Sequence, residues 1–291
     1  MKSSFIFILL VFFSSLWAKD VKYAAFYTKN LVKVSDKDVQ AVIRNILDEQ
    51  EKYSNIKLKE EFVTSIDGMI DGFISQKYAL ISLNTYDVLN NHPKLHPYVD
   101  KIWTITKDIN SSKQRYYIVI QNKTSVTTLQ DVQKGVVATL RFDNMQKMFL
   151  ETYLLEHFHQ DTQHFFREHL TFSNANKELL KLFFGKIDAC VVSEHSWRIA
   201  TELNPQLKKR LKIVAKSPDI FPSISLTLIR KNETEVKQLY ERFTKDAQSI
   251  KNITRLLLIY KAQGVKEFKK EDFHMLSDYY QHYLQLKKRY E

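Results

Sequence analysis

Apolar residues along this chain fall into two alternating kinds of pattern. Short apolar-rich runs at Val21–Tyr27, Tyr78–Leu83, Ile102–Thr106, Tyr116–Gln121, Gly135–Thr139, Ala189–Val192, Leu211–Ala215 and Ser225–Ile229 predict strands, most of them buried on both faces, and Lys57–Val63 a strand whose charges make it less buried. Between them, apolar residues recur every three to four positions. Val39, Val42, Ile43, Ile46 and Leu47 make one helical stripe, and Ile66, Met69, Ile70 and Phe73 a second, shorter one. Ser35-Asp36-Lys37-Asp38 has the form of a capping box ahead of the first stripe. Asn144–Phe158 and Glu194–Leu203 predict helices, Thr85–Leu89 a helical turn, and Leu179–Phe184 the end of a helix closed by Gly185. From Glu233 onward the whole chain reads as helix. Strands alternating with helices predict an α/β protein whose sheets carry helices on their faces. Polar Lys107–Lys113 and the stretch 216–223 around Pro218 and Pro222 interrupt the alternation, and mark where the chain enters and leaves a second lobe.

The N-terminus does not belong to this alternation. Met1-Lys2 is followed by the unbroken apolar run Phe5–Phe13 and then by Ser14-Ser15-Leu16-Trp17-Ala18. That order of basic start, apolar core and small residues is a secretory signal peptide, with a cut expected after Ala18. An uncleaved anchor is the alternative, although the run is shorter than the ~17 apolar residues that span a bilayer. No later stretch is long and apolar enough to cross a membrane.

Composition narrows the chemistry. Only 5 glycines occur in 291 residues, and neither GxGxxG nor GxxxxGK[ST] can be found, which removes nucleotide-cradling loops. The single cysteine, Cys190, sits inside an apolar strand and reads as an inert buried thiol; no GxSxG occurs. His157, His159, His164 and His169 crowd one segment, but their spacing does not place two on one helix face as HExxH does, so neither a metal nor a cofactor is expected. The formal charge is +11, and its basic clusters at Lys208-Lys209-Arg210, Lys266–Lys270 and Lys287-Lys288-Arg289 stand apart near helix ends. They form no stripe and have no RNA-binding aromatic motif beside them, so no nucleic-acid partner is expected.

Three segments then carry a resemblance. Thr128–Ala138 (TLQDVQKGVVA), Leu179–Val192 (LLKLFFGKIDACVV) and Lys212–Pro222 (KIVAKSPDIFP), in this order and after a signal peptide, resemble the periplasmic solute-binding proteins of phosphate/phosphonate ABC transporters. The resemblance covers about residues 21–250. It implies the type 2 periplasmic-binding-protein fold: two α/β lobes joined by two crossover hinges, with mixed sheets flanked by helices. Ligand groups would come from loops at the carboxyl ends of strands, here Tyr27 and Thr28; Asn84, Thr85 and Tyr86; Arg141, Phe142 and Asn144; Ser173 and Asn174; Glu194 and His195. Asp188 would hold the turn before its strand, and Trp197 is a further candidate wall. One departure stands out. Where phosphonate binders carry a Ser/Thr-Ser-Gly run, this chain has Leu140-Arg141-Phe142-Asp143-Asn144, with no serine and no glycine. Arg141 would suit an anion, whereas Asp143 would oppose a doubly charged one.

The expectation is therefore an exported, non-enzymatic, monomeric solute-binding protein of the periplasm. Residues 1–18 would be the signal, 19–106 with 224–291 the first lobe, and 107–223 the second with its hinge segments. Its partners would be a small ligand, with an anion as one candidate, and a membrane permease. The alternative is a sensing module that reports its ligand to a membrane receptor or histidine kinase.

Overall fold

The computed structural model describes residues 20–27, 35–52, 54–245 and 251–290. The signal segment and Thr28 lie outside the described residues. In chain order the elements are β1 Asp20–Phe26, α1 Asp36–Glu51, β2 Ile56–Phe62, α2 Ile66–Ile74, β3 Leu80–Asn84, α3 Thr85–Asn90, α4 His92–Leu95, β4 Val99–Thr106, β5 Lys113–Gln114 and β6 Tyr116–Gln121. They continue with β7 Val136–Leu140, α5 Asn144–Phe158, α6 Thr162–Phe165, β8 Glu168–Phe172, α7 Ala175–Phe183, β9 Ala189–Ser193, α8 Glu194–Leu203, α9 Gln206–Arg210 and β10 Leu211–Lys216. The last are β11 Phe221–Pro222, β12 Ser225–Arg230, α10 Thr234–Lys245, α11 Lys251–Tyr260, β13 Gly264–Glu267 and α12 Lys270–Tyr290.

Two mixed sheets result. The first runs β13-β4-β12-β3-β1-β2 and the second β10-β6-β9-β7-β8, while β5 and β11 pair antiparallel between them. Strand alternation feeds two layers at once. In β6, Tyr116, Ile118 and Ile120 enter the largest core cluster, and Tyr117 and Val119 enter the cluster behind the second sheet. In β3, Ile81 and Leu83 face the large cluster and Leu80 the cluster behind the first sheet. Burial on both faces is why these strands read as continuous apolar runs.

Local signals behave as their chemistry requires. Ser35 caps α1 by accepting the Asp38 N–H, and Val39, Ile43, Ile46 and Leu47 form its buried stripe. Gly185 ends α7 in the left-handed region, φ 68°, with its N–H on the Leu182 carbonyl. At Gly135 close approach rather than torsion is decisive. Asp188 Oδ2 accepts the Val136 N–H at 2.7 Å, and a Cβ on Gly135 would stand 2.6 Å from that oxygen. Asp188 thus positions the turn before β7. Gly135→Ala should cost about 1–3 kcal/mol in thermal unfolding, because it displaces a half-buried acceptor from its N–H. Gly68→Ala on the exposed face of α2, where the nearest atom is at 3.6 Å, should instead gain up to ~1 kcal/mol; equal effects would refute the crowding argument.

Two strands depart from expectation. The C-terminal region is not all helix, since β13 adds to the edge of the first sheet beside β4. β8 (EHLTF), which the apolar pattern did not mark, adds to the edge of the second beside β7. An edge strand is held by its neighbour's backbone and needs little apolar content of its own.

Helix α12 has the widest reach. Near its start Asp272 accepts from Lys113 Nζ at 2.7 Å, and Ser277 pairs with His92 at 3.0 Å. Further on, Tyr283 donates to Glu151 of α5 at 2.8 Å, His282 pairs with Glu156 at 2.7 Å, and Tyr290 stacks on His159 at 4.5 Å. One helix thereby touches elements around the first sheet and the α5 helix of the second.

Candidate functional site

The segments that join the sheets run side by side. Gln114 Nε2 donates to Tyr116 Oη at 2.9 Å and to the Pro222 and Ser223 carbonyls at 3.2 Å each, and the Lys107 N–H reaches Ser223 Oγ at 3.4 Å. These bonds tie both crossings together at the floor of a cleft of about 520 Å³. Asn84, Thr85 and Tyr86, at the end of β3, and Ile259–Lys261, at the end of α11, line one wall. Loops after β7, β8 and β9 line the other with Leu140–Met145, Phe172–Asn176, His195 and Ser196. Ligand-facing loops at carboxyl ends of strands are what open α/β sheets produce.

Nine of the twelve residues expected from the sequence meet here: Asn84, Thr85, Tyr86, Arg141, Phe142, Asn144, Ser173, Asn174 and His195. Phe142 holds its ring 45% exposed within the cleft. Tyr27 is instead half-buried against the large core cluster, its N–H on the Ser82 carbonyl, and lies away from the cleft lining. Glu194 also lies outside the lining; its carboxylate accepts from Tyr117 Oη behind the second sheet's edge. Trp197 packs against the cluster behind that sheet. The crowded histidines are used separately: His157 stacks on Tyr153, His164 bonds Asp161, and His169 meets Thr139 Oγ1 at 2.8 Å. Among the described residues no group of three or more His, Cys, Asp or Glu side chains could hold a metal ion. Cys190 is fully buried, and burial pushes its thiol well up, away from thiolate chemistry.

Four helix N-termini reach the cleft region, each with its own side-chain cap: Asn84 for α3, Asp143 for α5, Asn174 for α7 and Ser193 for α8. Only one cap is a carboxylate. Asp143 accepts the Gln146 N–H at 3.1 Å and the Tyr116 hydroxyl at 3.0 Å, and burial raises its pKa against these bonds and the nearby Lys107 charge. The same burial pushes the Lys107 ammonium down; Asp143 opposes this and Lys261 adds to it. His195 is lowered by burial and by Lys107 and Arg198, and its Nδ1 is buried with no hydrogen-bond partner among the described residues. Lys107, Tyr116 and Lys261 were not singled out from the sequence. Lys107 was legible only as part of a polar break, and Tyr116 only as part of an apolar strand.

Residues 31–273 match the family described as the periplasmic substrate-binding protein of phosphonate ABC transporters. Solved structures agree on the fold at low identity. The binding-protein component of an ABC phosphonate transporter from Pseudomonas aeruginosa is 11% identical, with a TM-score of 0.57 over 94% of this chain and 90% of that one. A Xanthomonas citri protein solved with ATP is 10% identical, TM-score 0.61, over 94% of this chain and 100% of that one. PhnD1 from Prochlorococcus marinus, solved with methylphosphonate, is 12% identical, TM-score 0.54, over 90% and 97%. No curated protein matches the sequence.

Proposed function

The chain belongs to the family of periplasmic substrate-binding proteins of phosphonate ABC transporters, and from that premise we propose that it captures a small solute between its lobes and presents the closed form to a membrane permease. The family is one of binding components, not enzymes. One observation carries the capture reading: the cleft is lined from both sheets and floored by two adjacent crossings, so the lobes can swing together about a single narrow line.

In this reading residues 1–18 are a cleaved export leader. Residues 19–106 with 224–291 make up one lobe and 107–223 the other with its hinges, the far end of α12 crossing to rest on α5 of the second, and the mature protein acts as a monomer. The solute contacts come from Asn84, Thr85, Tyr86, Arg141, Phe142, Asn144, Ser173, Asn174 and His195, with Lys107 added from the hinge.

Small-angle scattering and thermal unfolding test the reading on the mature protein, with methylphosphonate, inorganic phosphate and glycine as first probes. A captured solute should reduce the radius of gyration, and at 100 times its Kd should add about 2.7 kcal/mol of stability. A solute that binds without contraction, or is chemically converted by the protein, overturns the reading.

A further inference from the structure

A second cavity, of about 160 Å³, lies between the first sheet and α12. It shares no lining residue with the cleft. Its floor is apolar: Leu95 of α4, Ile102 of β4, Leu228 of β12 and Phe273 of α12 line it, and each is buried. An apolar hole of about 150 Å³ admits one benzene ring, so this cavity matches a six-membered ring in size.

The mouth has the opposite character. His92 opens α4, His96 follows its last residue, and His274 comes from α12. The three rings cluster, with centroids 5.2 Å apart for His92 and His96, 5.6 Å for His96 and His274, and 6.5 Å for His92 and His274. Lys231, just after β12, and Lys270, at the start of α12, line the same cavity, and among the described residues no Asp or Glu does. Lys270 lies 3.8 Å from Asp100, but that carboxylate already holds Lys237 at 2.6 Å. Positive charge therefore dominates the entrance.

His92 forms a wall that is not satisfied. Its ring stands 5.0 Å from Phe273, and its Nδ1 meets Ser277 Oγ at 3.0 Å. Its Nε2 is buried with no hydrogen-bond partner among the described residues. Burial and the neighbouring His96 and His274 lower its pKa against the charge of Asp278 on α12, which favours the neutral ring. A buried ring nitrogen left open costs free energy that an incoming oxygen recovers. Apolar floor, cationic mouth and open nitrogen together describe a receptor for a compact organic acid.

We propose that this cavity is a second ligand site, taking a small aromatic or branched aliphatic carboxylate. The apolar body rests on the floor of Leu95, Ile102, Leu228 and Phe273, and the acid is held at the mouth by Lys231, Lys270 and the imidazoles. The site is independent of the solute taken in the cleft and stands whether or not the lobes close on one. Phe273, His274 and Ser277 belong to α12, which also rests on α5, so an occupant fastens that helix to the first sheet.

Imidazole proton–carbon NMR spectra of the mature protein test this with benzoate as probe, the signals being assigned by single His→Gln variants. Benzoate should shift the His92, His96 and His274 signals and leave His195, in the cleft, in place. It should bind about 10–100-fold more tightly than benzyl alcohol, which has the ring without the charge. It should exceed acetate, which has the charge without the ring, by about 10-fold or more. Lys231→Gln combined with Lys270→Gln, both exposed positions, should erase the advantage over benzyl alcohol and leave the affinity for benzyl alcohol itself unchanged. Unmoved signals of the three histidines, equal binding of benzyl alcohol or acetate, or an undiminished advantage in the double variant overturns the proposal. If benzoate shifts His195 alone, it is a ligand of the cleft: capture stands and this second site falls.

Discussion

Phe221→Ala will lower the stability of this protein by about 3–5 kcal/mol, the loss typical for emptying a fully buried aromatic site. Phe221 is 0% exposed although it lies in a two-residue strand within a crossing segment. Its ring stands edge-on to Tyr116 at 5.1 Å and to Tyr279 of α12 at 5.5 Å. It therefore joins three parts of the molecule through apolar packing: the second sheet, the crossings and the long C-terminal helix. At about 2–4 °C per kcal/mol for a chain approaching this size, the melting temperature should fall by roughly 6–20 °C. Leu203→Ala, at a residue 77% exposed, serves as the control and should move stability by no more than about 0.5 kcal/mol. A Phe221→Ala protein that melts with the wild type would show that the crossings are not packed as described.

The second large effect is a pH dependence. Glu178 on α7 is 0% exposed and neither carboxylate oxygen has a hydrogen-bond partner among the described residues. Burial raises its pKa well above the ordinary range, and the Asp143 charge adds to the rise. A group whose folded pKa is raised keeps its proton in the native state while the unfolded chain releases it. Its contribution is most favourable at low pH, and native stability is lost as pH climbs above the unfolded carboxyl value, near 4.3. The loss is about 1.4 kcal/mol per pH unit while the native carboxyl stays protonated. Glu178→Met, similar in volume and without a proton to hold, should therefore gain on the wild type as pH rises above that value, by at most about 1.4 kcal/mol per pH unit, in denaturant unfolding. Comparing the two proteins cancels the titration of the other groups. Parallel stability curves would mean that Glu178 is solvated or paired in the native state.

Glu178 also illustrates why buried charge could not be read from the chain. On a helix whose apolar stripe is Ala175, Leu179 and Leu182, a glutamate reads as a residue of the wet face. Only the packing of α7 onto the second sheet puts it inside. Lys107 and Tyr116 belong to the same class. Each is unremarkable in its own segment, and their proximity arises because two crossings about 110 residues apart in sequence are pinned by Gln114. Two of the strands that escaped the pattern, β8 and β13, are sheet edges whose pairing partners supply the hydrogen bonds. Tyr27 and Glu194 were placed with the cleft because both sit beside strand ends; side-chain direction turns the first into the core and the second toward Tyr117.

What the sequence determined by itself is the order of most strands and helices, the positions of the two breaks, the caps at Ser35 and Gly185, and nine of the loop residues that line the cleft. Those features depend on local periodicity and on residues whose backbone preferences act within a few positions, so they survive without knowledge of the partner elements. The tertiary structure alone decided which charges face one another. It set Asp143 as the α5 cap near Lys107 of the hinge, and carried α12 from the first sheet to α5. Charge pairing and desolvation depend on distance through space and on excluded water, and neither is encoded by spacing along the chain.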